Sequence, residues 1–141
     1  ENVKASRARE LVMSMGLERY IDSHIQELST GTRRIVEICC LVALEPRLLL
    51  LDEPSSGIAQ RETEALAGVL LRIKDHLAAT LVVIEHDIPM VMGISDRVAA
   101  MESGRVIALG TPAEVRADPR VIEAYLGAEA TAIQRSGVGA A

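Results

Sequence analysis

The sequence predicts an α/β fold with a mainly parallel sheet, flanking helices and a C-terminal hairpin. Two short apolar runs, Leu48–Leu51 and Leu81–Ile84, suit parallel strands that are covered on both faces. Residues 60 to 77 lie between them and place apolar side chains at helical spacing. These side chains are Leu66, Leu70, Ile73 and Leu77. Strand, helix and strand in this order form a βαβ unit, so we expect a right-handed crossover.

The residues before the sheet are expected to be largely helical. A first helix is predicted over residues 4 to 15, with Gly16 as its end, and a polar connection follows over residues 17 to 28. Ser29 is a plausible N-cap for a second helix over residues 30 to 44. That helix is apolar on all sides after Ile38, so we expect its second half to be buried.

The residues after the second strand carry further turn and capping signals. Asp87 is expected to cap a short helix, and a hairpin is predicted around the turn Glu102–Gly104. Thr111–Glu114 forms a capping box, and Asp118 begins a last short helix that reaches about Leu126. We divide the chain into residues 1–46, residues 47–127 and an Ala- and Gly-rich tail, residues 128–141, which we expect to be flexible.

Composition excludes several classes of function. The net charge of −5 argues against nucleic-acid binding through a basic face. The chain has no Phe or Trp and two Tyr, so a stacking platform for bases is not expected. Cys39 and Cys40 are adjacent, which disfavours a disulfide between them, and no His pair accompanies them to form a zinc site.

Three groups of polar residues can carry chemistry. Asp52 and Glu53 end the first strand, where open α/β sheets place their ligands, and His86 follows the second strand in the same way. Carboxylates there can hold Mg²⁺ and orient or deprotonate a water, and an imidazole can donate to a phosphate oxygen. Ser29–Thr32 opens a helix with hydroxyls and a bare glycine backbone, which suits an anion. Each group also has a plain alternative: a solvated acidic turn, a polar loop residue or a helix cap.

Together and in this order, the motifs resemble those of ATP-binding cassette (ABC) ATPase domains, which are P-loop NTPases of the RecA-like fold. Leu28–Thr32 resembles the signature motif of that family and Leu48–Glu53 its Walker B strand. Ser55–Ala59 resembles the D-loop, and His86 the switch histidine. The resemblance covers roughly residues 4 to 127, which would be the C-terminal half of such a domain.

Within that family, the chain looks most like the ATP-binding subunits of branched-chain amino-acid importers. Three stretches suggest this: Ile84–Asp87, Val91–Arg97 and Gly110–Val115 leading to Ala124–Gly127. The resemblance implies a subunit on the cytoplasmic face of the inner or plasma membrane, attached through transmembrane permease subunits. Its function would be transport-coupled ATP hydrolysis for import of branched-chain amino acids or related amides.

The resemblance also implies a role for each motif residue. Asp52 would bind Mg²⁺, Glu53 would be the general base, and His86 would contact the γ-phosphate. The signature residues Ser29, Thr30, Gly31 and Thr32 would close on ATP held by a second ATPase domain in a head-to-tail dimer. Ser56 and Gly57 would lie at the interface of that dimer.

Three positions depart from the usual pattern of the family. Thr30 and Thr32 replace the more common Gly and Gln of the signature, and Thr32 keeps a hydroxyl donor. Ala59 stands where the D-loop usually ends in Asp or Asn, so one polar contact across the interface is expected to be missing. Cys40 stands where the signature helix commonly carries Arg.

The sequence contains no phosphate loop of the form G-x-x-x-x-G-K-[ST]. Its two lysines, Lys4 and Lys74, do not follow such a glycine pattern. We therefore expect ATP and Mg²⁺ binding to require the other half of the domain, and this chain alone to be inactive. In the family's sheet, the strand before the phosphate loop would lie between the strand at Leu81–Ile84 and the hairpin. Without it, bare strand edges are expected to promote self-association.

Two alternatives remain open from the sequence. The chain could be a truncated interaction module that docks on a complete ATPase or a permease without catalysis. It could also belong to an ATPase of a lipopolysaccharide-type exporter, which has a similar C-terminal ending. A DNA-repair relative is disfavoured because residues 1 to 28 lack coiled-coil heptads.

Overall fold

A computed structural model describes residues 2–76 and 79–126 of the chain. The chain forms two compact units, Glu1–Ile94 and Ser95–Ala141. Leu77 of the predicted apolar stripe and the predicted tail at residues 128–141 lie outside the described residues. The predicted division at residue 46 stays a prediction.

The first unit is a helical segment followed by a βαβ unit and a short helix. Its elements are α1 (Asn2–Ser14), 3₁₀ turns at Glu18–Tyr20 and Ile25–Glu27, α2 (Thr30–Val42), β1 (Leu48–Asp52), α3 (Gln60–His76), β2 (Thr80–Ile84) and α4 (Ile88–Ile94). The second unit contains β3 (Val98–Glu102), β4 (Arg105–Gly110), α5 (Pro112–Ala117) and α6 (Pro119–Val121), which continues into one π-helical turn at Ile122–Leu126. The predicted α/β class and order of elements are confirmed.

The strands β1 and β2 pair in parallel, with Leu48 opposite Thr80 and Asp52 opposite Ile84. Their common core is formed with α3, whose predicted stripe is buried at each described position. Its most completely buried side chains are Leu66, Val69, Leu70 and Ile73. The carboxyl ends of β1 and β2 therefore lie side by side, which places the residues after each strand at the same edge of the sheet.

The prediction that both strands are covered on both faces is wrong for this chain. Leu49 and Leu51 of β1 are buried, whereas Leu48, Leu50, Val82 and Ile84 are between 46% and 66% exposed. The reason is that side chains alternate across a strand, and the described core of this unit covers only one face. The other face of the sheet is an open apolar surface.

The helix α2 begins as predicted, with Ser29 as its N-cap. Its second half is only partly buried, because Ile38, Cys39 and Val42 face the core while Cys40 and Leu41 are exposed. The prediction of complete burial after Ile38 is therefore wrong. Burial raises the pKa of the Cys39 thiol to about 11, as expected for a cysteine that serves as a small apolar side chain.

The side chain of Arg72 joins α3 to the end of α1. Its Nη2 donates to the carbonyl of Met15 at 3.0 Å. The chain then turns at Gly16, which has a φ of +74°, a conformation that favours glycine. The predicted end of the first helix at Gly16 is thus confirmed, and the turn is held by a side chain from a distant helix.

In the second unit, β3 and β4 form the predicted antiparallel hairpin. Ser103 and Gly104 have φ values of +49° and +78°, the pattern of a tight two-residue turn. The predicted capping box is present, since Thr111 accepts from the Glu114 amide and the Glu114 carboxylate accepts from Thr111 N. Asp118 caps α6, also as predicted. Among the described residues, no helix is long and apolar enough to cross a bilayer.

Candidate functional site

The chain turns at Glu53, the residue directly after β1. Its φ is +43°, which is uncommon for a residue other than glycine and is enriched at functional sites. The Glu53 amide donates to the carbonyl of Ile84 at 2.8 Å, and the Glu53 carbonyl accepts from Ser56 N at 3.0 Å. Main-chain hydrogen bonds thus hold Glu53 at the edge of the sheet while its carboxylate stays 55% exposed.

The carboxylate of Glu85 connects the loops that follow the two strands. Its side chain is fully buried. Oε1 accepts from Ser55 N at 2.7 Å, and Oε2 accepts from His86 N at 3.2 Å. Glu85 was not among the predicted site residues, although its position directly after an apolar strand, beside His86, was a usable signal.

The imidazole of His86 lies between two carboxylates. Its Nδ1 is 4.0 Å from Glu53 Oε1 and 3.8 Å from Glu85 Oε2. Both distances exceed those of a hydrogen bond, so neither carboxylate is bonded directly to the ring. The ring is 72% exposed, and it can therefore reach a ligand at the surface beside the Glu53 carboxylate.

Asp52 is the last residue of β1 and is exposed, one position before Glu53. In residues 2–76 and 79–126, no group of three or more His, Cys, Asp or Glu side chains can hold a metal ion by itself. Mg²⁺ in phosphate-transfer sites commonly takes one or two carboxylates together with phosphate oxygens and waters. The single carboxylate of Asp52 fits that kind of shared site.

The loop after Glu53 exposes two of the predicted site residues. Ser55 is buried, whereas Ser56 and Gly57 are exposed. Gly57 has a φ of +74°, and a Cβ at this position would meet no atom within 4 Å, so only the backbone conformation, and not a lack of space, favours glycine here. Ser56 and Gly57 are therefore available to another molecule.

The Ser29–Thr32 segment forms the start of α2. Ser29 Oγ accepts from the Thr32 amide at 3.2 Å, and Ser29 Oγ and Thr32 Oγ1 are 2.9 Å apart. Ser29 and Thr30 are exposed, while Gly31 and Thr32 are buried. Ser29 Oγ also donates to Oε1 of Glu62, a residue in the first turn of α3 that was not among the predicted site residues.

The predicted site residues therefore form two groups. Asp52, Glu53, His86 and the loop through Gly57 lie at the carboxyl ends of β1 and β2, as the parallel strands predict. The Ser29–Thr32 segment is linked to the start of α3 instead. Within the described residues, no hydrogen bond or ion pair joins this segment to Asp52, Glu53 or His86.

A pocket of about 430 Å³ lies in the helical segment rather than at the carboxylates. Its lining is mostly apolar and comes from α1, the two 3₁₀ turns and α2, with Val12, Leu17 and Val36 among its residues. Glu53 and His86 are on open surface instead. This openness suits a site that a large ligand or a second protein completes.

The sequence profile of the ABC transporter family matches residues 1–56. The profile described as branched-chain amino acid ATP-binding cassette transporter matches residues 105–131. Together the two profiles cover both ends of the predicted resemblance.

Curated relatives include LivG, a high-affinity branched-chain amino acid transport ATP-binding protein. LivG of Salmonella typhimurium is 38% identical over 121 residues, which are 86% of this chain and 48% of LivG. BraF of Pseudomonas aeruginosa, a protein of the same description, is 35% identical over 80% of this chain and 44% of its own length. The chain thus spans about half the length of the curated relatives it matches.

Solved structures agree with the sequence comparisons. The ADP conformation of MJ1267, an ATP-binding cassette of an ABC transporter, superposes with a TM-score of 0.74 at 28% identity. The match covers 86% of this chain and 49% of that one. The structure of cbiO1 from Clostridium perfringens, part of the cbiONQ transporter complex, gives a TM-score of 0.73 at 32% identity, over 84% and 47% of the two chains.

Proposed function

Because the chain carries the sequence and the fold of part of an ABC transporter ATPase domain, we propose that it acts within an ATP-hydrolysing, nucleotide-binding subunit. The transporter would import branched-chain amino acids or related amides. LivG and BraF support this substrate class, since both are named as branched-chain amino acid transport ATP-binding proteins. The profile match at residues 105–131 supports the same class.

The observation that carries the proposed chemistry is the arrangement of Glu53 and His86 at one edge of the sheet. Glu53 acts as the general base or as the group that orients the attacking water. Its carboxylate is exposed and makes no direct hydrogen bond to His86, so its oxygens can accept a proton from a water molecule. His86 contacts the γ-phosphate from the neighbouring loop. Glu85 holds both loops through their amides, so it positions Glu53 and His86 relative to each other.

The other site residues would contact a nucleotide whose binding we expect to need a further segment, because the sequence contains no phosphate loop. Asp52 is the residue that would hold Mg²⁺, and the ion, when bound, neutralises phosphate charge. Ser29, Thr30, Gly31 and Thr32 close on the γ-phosphate of ATP bound to a second ATPase domain. Ser56 and Gly57, which are exposed, contact that domain.

The partners follow from this assignment. The subunit pairs head to tail with a second ABC ATPase domain and binds transmembrane permease subunits. It lies on the cytoplasmic face of the inner or plasma membrane and reaches the membrane through the permease. No role in nucleic-acid binding is proposed.

The catalytic proposal is tested on this sequence joined to a segment that supplies a phosphate loop, because the sequence itself contains none. Glu53→Gln removes the base and keeps the shape of the side chain, so steady-state ATP hydrolysis should fall by about 100-fold or more. Glu64→Gln is the matched control, because Glu64 is an exposed carboxylate on α3 outside the site. Full activity in the Glu53→Gln protein would refute the role of Glu53.

Native mass spectrometry of this chain, with and without Mg-ATP, tests whether it can act alone. We expect no retained nucleotide, because the sequence contains no phosphate loop. A dimer that retains ATP would show that the chain builds a phosphate site of its own. The expectation that ATP binding needs a separate segment with a phosphate loop would then be wrong.

The open apolar face of the sheet supports a second candidate function, a non-catalytic interaction module. Leu50 and Ile84 are 66% and 61% exposed, and each strand of the sheet pairs with only one other strand in the described residues. A second copy of this chain can cover such a face and such edges. We therefore expect the isolated chain to form multimers, and Leu50→Lys to weaken them more than Ala65→Lys, which adds the same charge at an exposed position of α3. Monomers at high concentration in light scattering would contradict this expectation.

A further inference from the structure

The side chain of Glu62 lies against the first residues of α2. Glu62 belongs to the first turn of α3, and its Oε1 accepts a hydrogen bond from Ser29 Oγ. This contact links two helix starts that are 33 residues apart in the sequence. It also places a carboxylate beside Ser29–Thr32, the segment that is proposed to contact the γ-phosphate of ATP.

In this contact, Ser29 donates to Glu62 the hydroxyl proton that it would otherwise donate to a phosphate oxygen. A hydroxyl has one proton, and an ionised carboxylate is a stronger acceptor than another hydroxyl. Ser29 Oγ already accepts from Thr32 N and lies 2.9 Å from Thr32 Oγ1, so Glu62 is the acceptor that takes its proton. Ser29 must leave Glu62 before it can donate to another anion.

The packing around Gly31 brings Glu62 against the bare backbone of the same segment. A Cβ built on Gly31 would lie 2.6 Å from Glu62 Cβ and 2.7 Å from Glu62 Cδ. Gly31 is therefore required for the close approach of α3, and Glu62 covers the backbone at the start of α2. A helix N-terminus favours negative charge, so Glu62 and a phosphate compete for the same electrostatic environment.

We propose that Glu62 is an internal anion that blocks the Ser29–Thr32 segment until a phosphate displaces it. The inference rests on the proposed function, because it takes from it the assignment of this segment to phosphate. The carboxylate supplies an acceptor for Ser29 and a negative charge at the helix start. It thereby lowers the affinity of the segment for any anion that arrives without the contacts of a complete site.

The test is a titration of the ¹⁵N-labelled chain with inorganic phosphate, followed through the backbone amides of residues 29 to 33. Glu62→Gln removes the charge and keeps the shape, and Glu62→Ala removes the acceptor as well. We expect both variants to bind phosphate about fivefold more tightly, the effect of one unit charge at about 4 Å in water. Glu64→Gln removes a charge from the same helix without touching Ser29, so it should bind like the wild-type protein. Ser29→Ala in the Glu62→Ala background should abolish the gain.

Three results would overturn the inference. Equal phosphate affinity in the wild-type and both Glu62 variants would show that Glu62 does not compete. Weaker binding in the Glu62→Gln chain would make Glu62 a positioning residue instead of a block. An absence of phosphate-induced shifts in all variants would show that unblocking Ser29 creates no anion site. None of these outcomes depends on ATP hydrolysis, so a failure here is distinguishable from a failure of the proposed function, which the Glu53→Gln assay decides.

Discussion

The buried carboxylate of Glu85 makes a quantitative prediction about stability. Glu85 accepts hydrogen bonds from the amides of Ser55 and His86, and its side chain is fully buried. Glu85→Ala leaves both amides without their acceptor. A charge-assisted hydrogen bond is worth about 1.5 kcal/mol at the low end of its range, so the two together give a loss of about 3 kcal/mol in the free energy of unfolding.

Glu85→Gln provides an intermediate case with the same shape. Its amide oxygen can still accept from Ser55 N, but its NH₂ group cannot accept from His86 N, so about half of the loss remains. We therefore expect Glu85→Ala to be the most destabilised, Glu85→Gln to lie between, and the wild-type protein to be the most stable. Glu53→Gln serves as the control, because the Glu53 carboxylate is 55% exposed and its change should alter stability by less than about 0.5 kcal/mol.

Urea denaturation followed by circular dichroism measures these differences, at a protein concentration low enough to suppress association. The amide resonances of Ser55 and His86 provide a second measurement, since both should shift strongly in the Glu85→Ala chain. A Glu85→Ala chain no less stable than the Glu53→Gln chain would show that Glu85 does not stabilise the two loops. Wild-type chemical shifts for the two amides in the Glu85→Ala chain would likewise exclude the two hydrogen bonds.

Further predictions concern the core, the cysteines and the second unit. Leu66→Ala should lower the free energy of unfolding by about 3 kcal/mol in urea because Leu66 is completely buried, whereas Leu71→Ala, at a position 37% exposed, should lose less than about 1 kcal/mol. Equal losses would contradict the assigned core. Iodoacetamide at pH 8 should modify the exposed Cys40 first, because burial raises the pKa of Cys39 from 9.0 to about 11 and reduces its thiolate about 100-fold. Peptide mass spectrometry showing equal rates would contradict this. Hydrogen bonds from the neighbouring guanidinium and amide lower the pKa of Asp118 from 3.8 to about 2, so the stability it contributes is complete above pH 4 and is lost as the pH falls towards 2. Asp118→Asn should remove that part of the pH dependence in thermal melts between pH 2 and pH 5, and an unchanged dependence would exclude the assigned contact.

Several parts of the fold were predictable from local signals. Ser29, Thr111 and Asp118 each precede a helix with a side chain that can accept from a free amide, and each does so in the structure. The turn at Ser103 and Gly104 also follows from local chemistry, because glycine tolerates positive φ. Caps and turns involve residues a few positions apart, so the sequence contains the whole interaction.

The predicted burial of both strand faces failed for a different reason. An apolar run shows which residues favour a core, but the elements that cover them are decided by packing. Leu49 and Leu51 are buried against the core, while Leu48 and Leu50 on the opposite face are exposed. The four leucines look alike in the sequence, and only the tertiary arrangement distinguishes them.

The candidate site shows the same division. The sequence by itself determined that Asp52, Glu53 and His86 follow two parallel strands, and parallel pairing brings such residues to one edge of the sheet. It could not determine that Glu85 joins the two loops or that Glu62 holds Ser29, because these contacts span 30 and 33 residues. A hydrogen bond depends on distances of about 3 Å, and such distances between remote residues are set by the packing of helices against the sheet. Local patterns therefore identified the residues that carry chemistry, and the tertiary structure decided which side chains hold them in place.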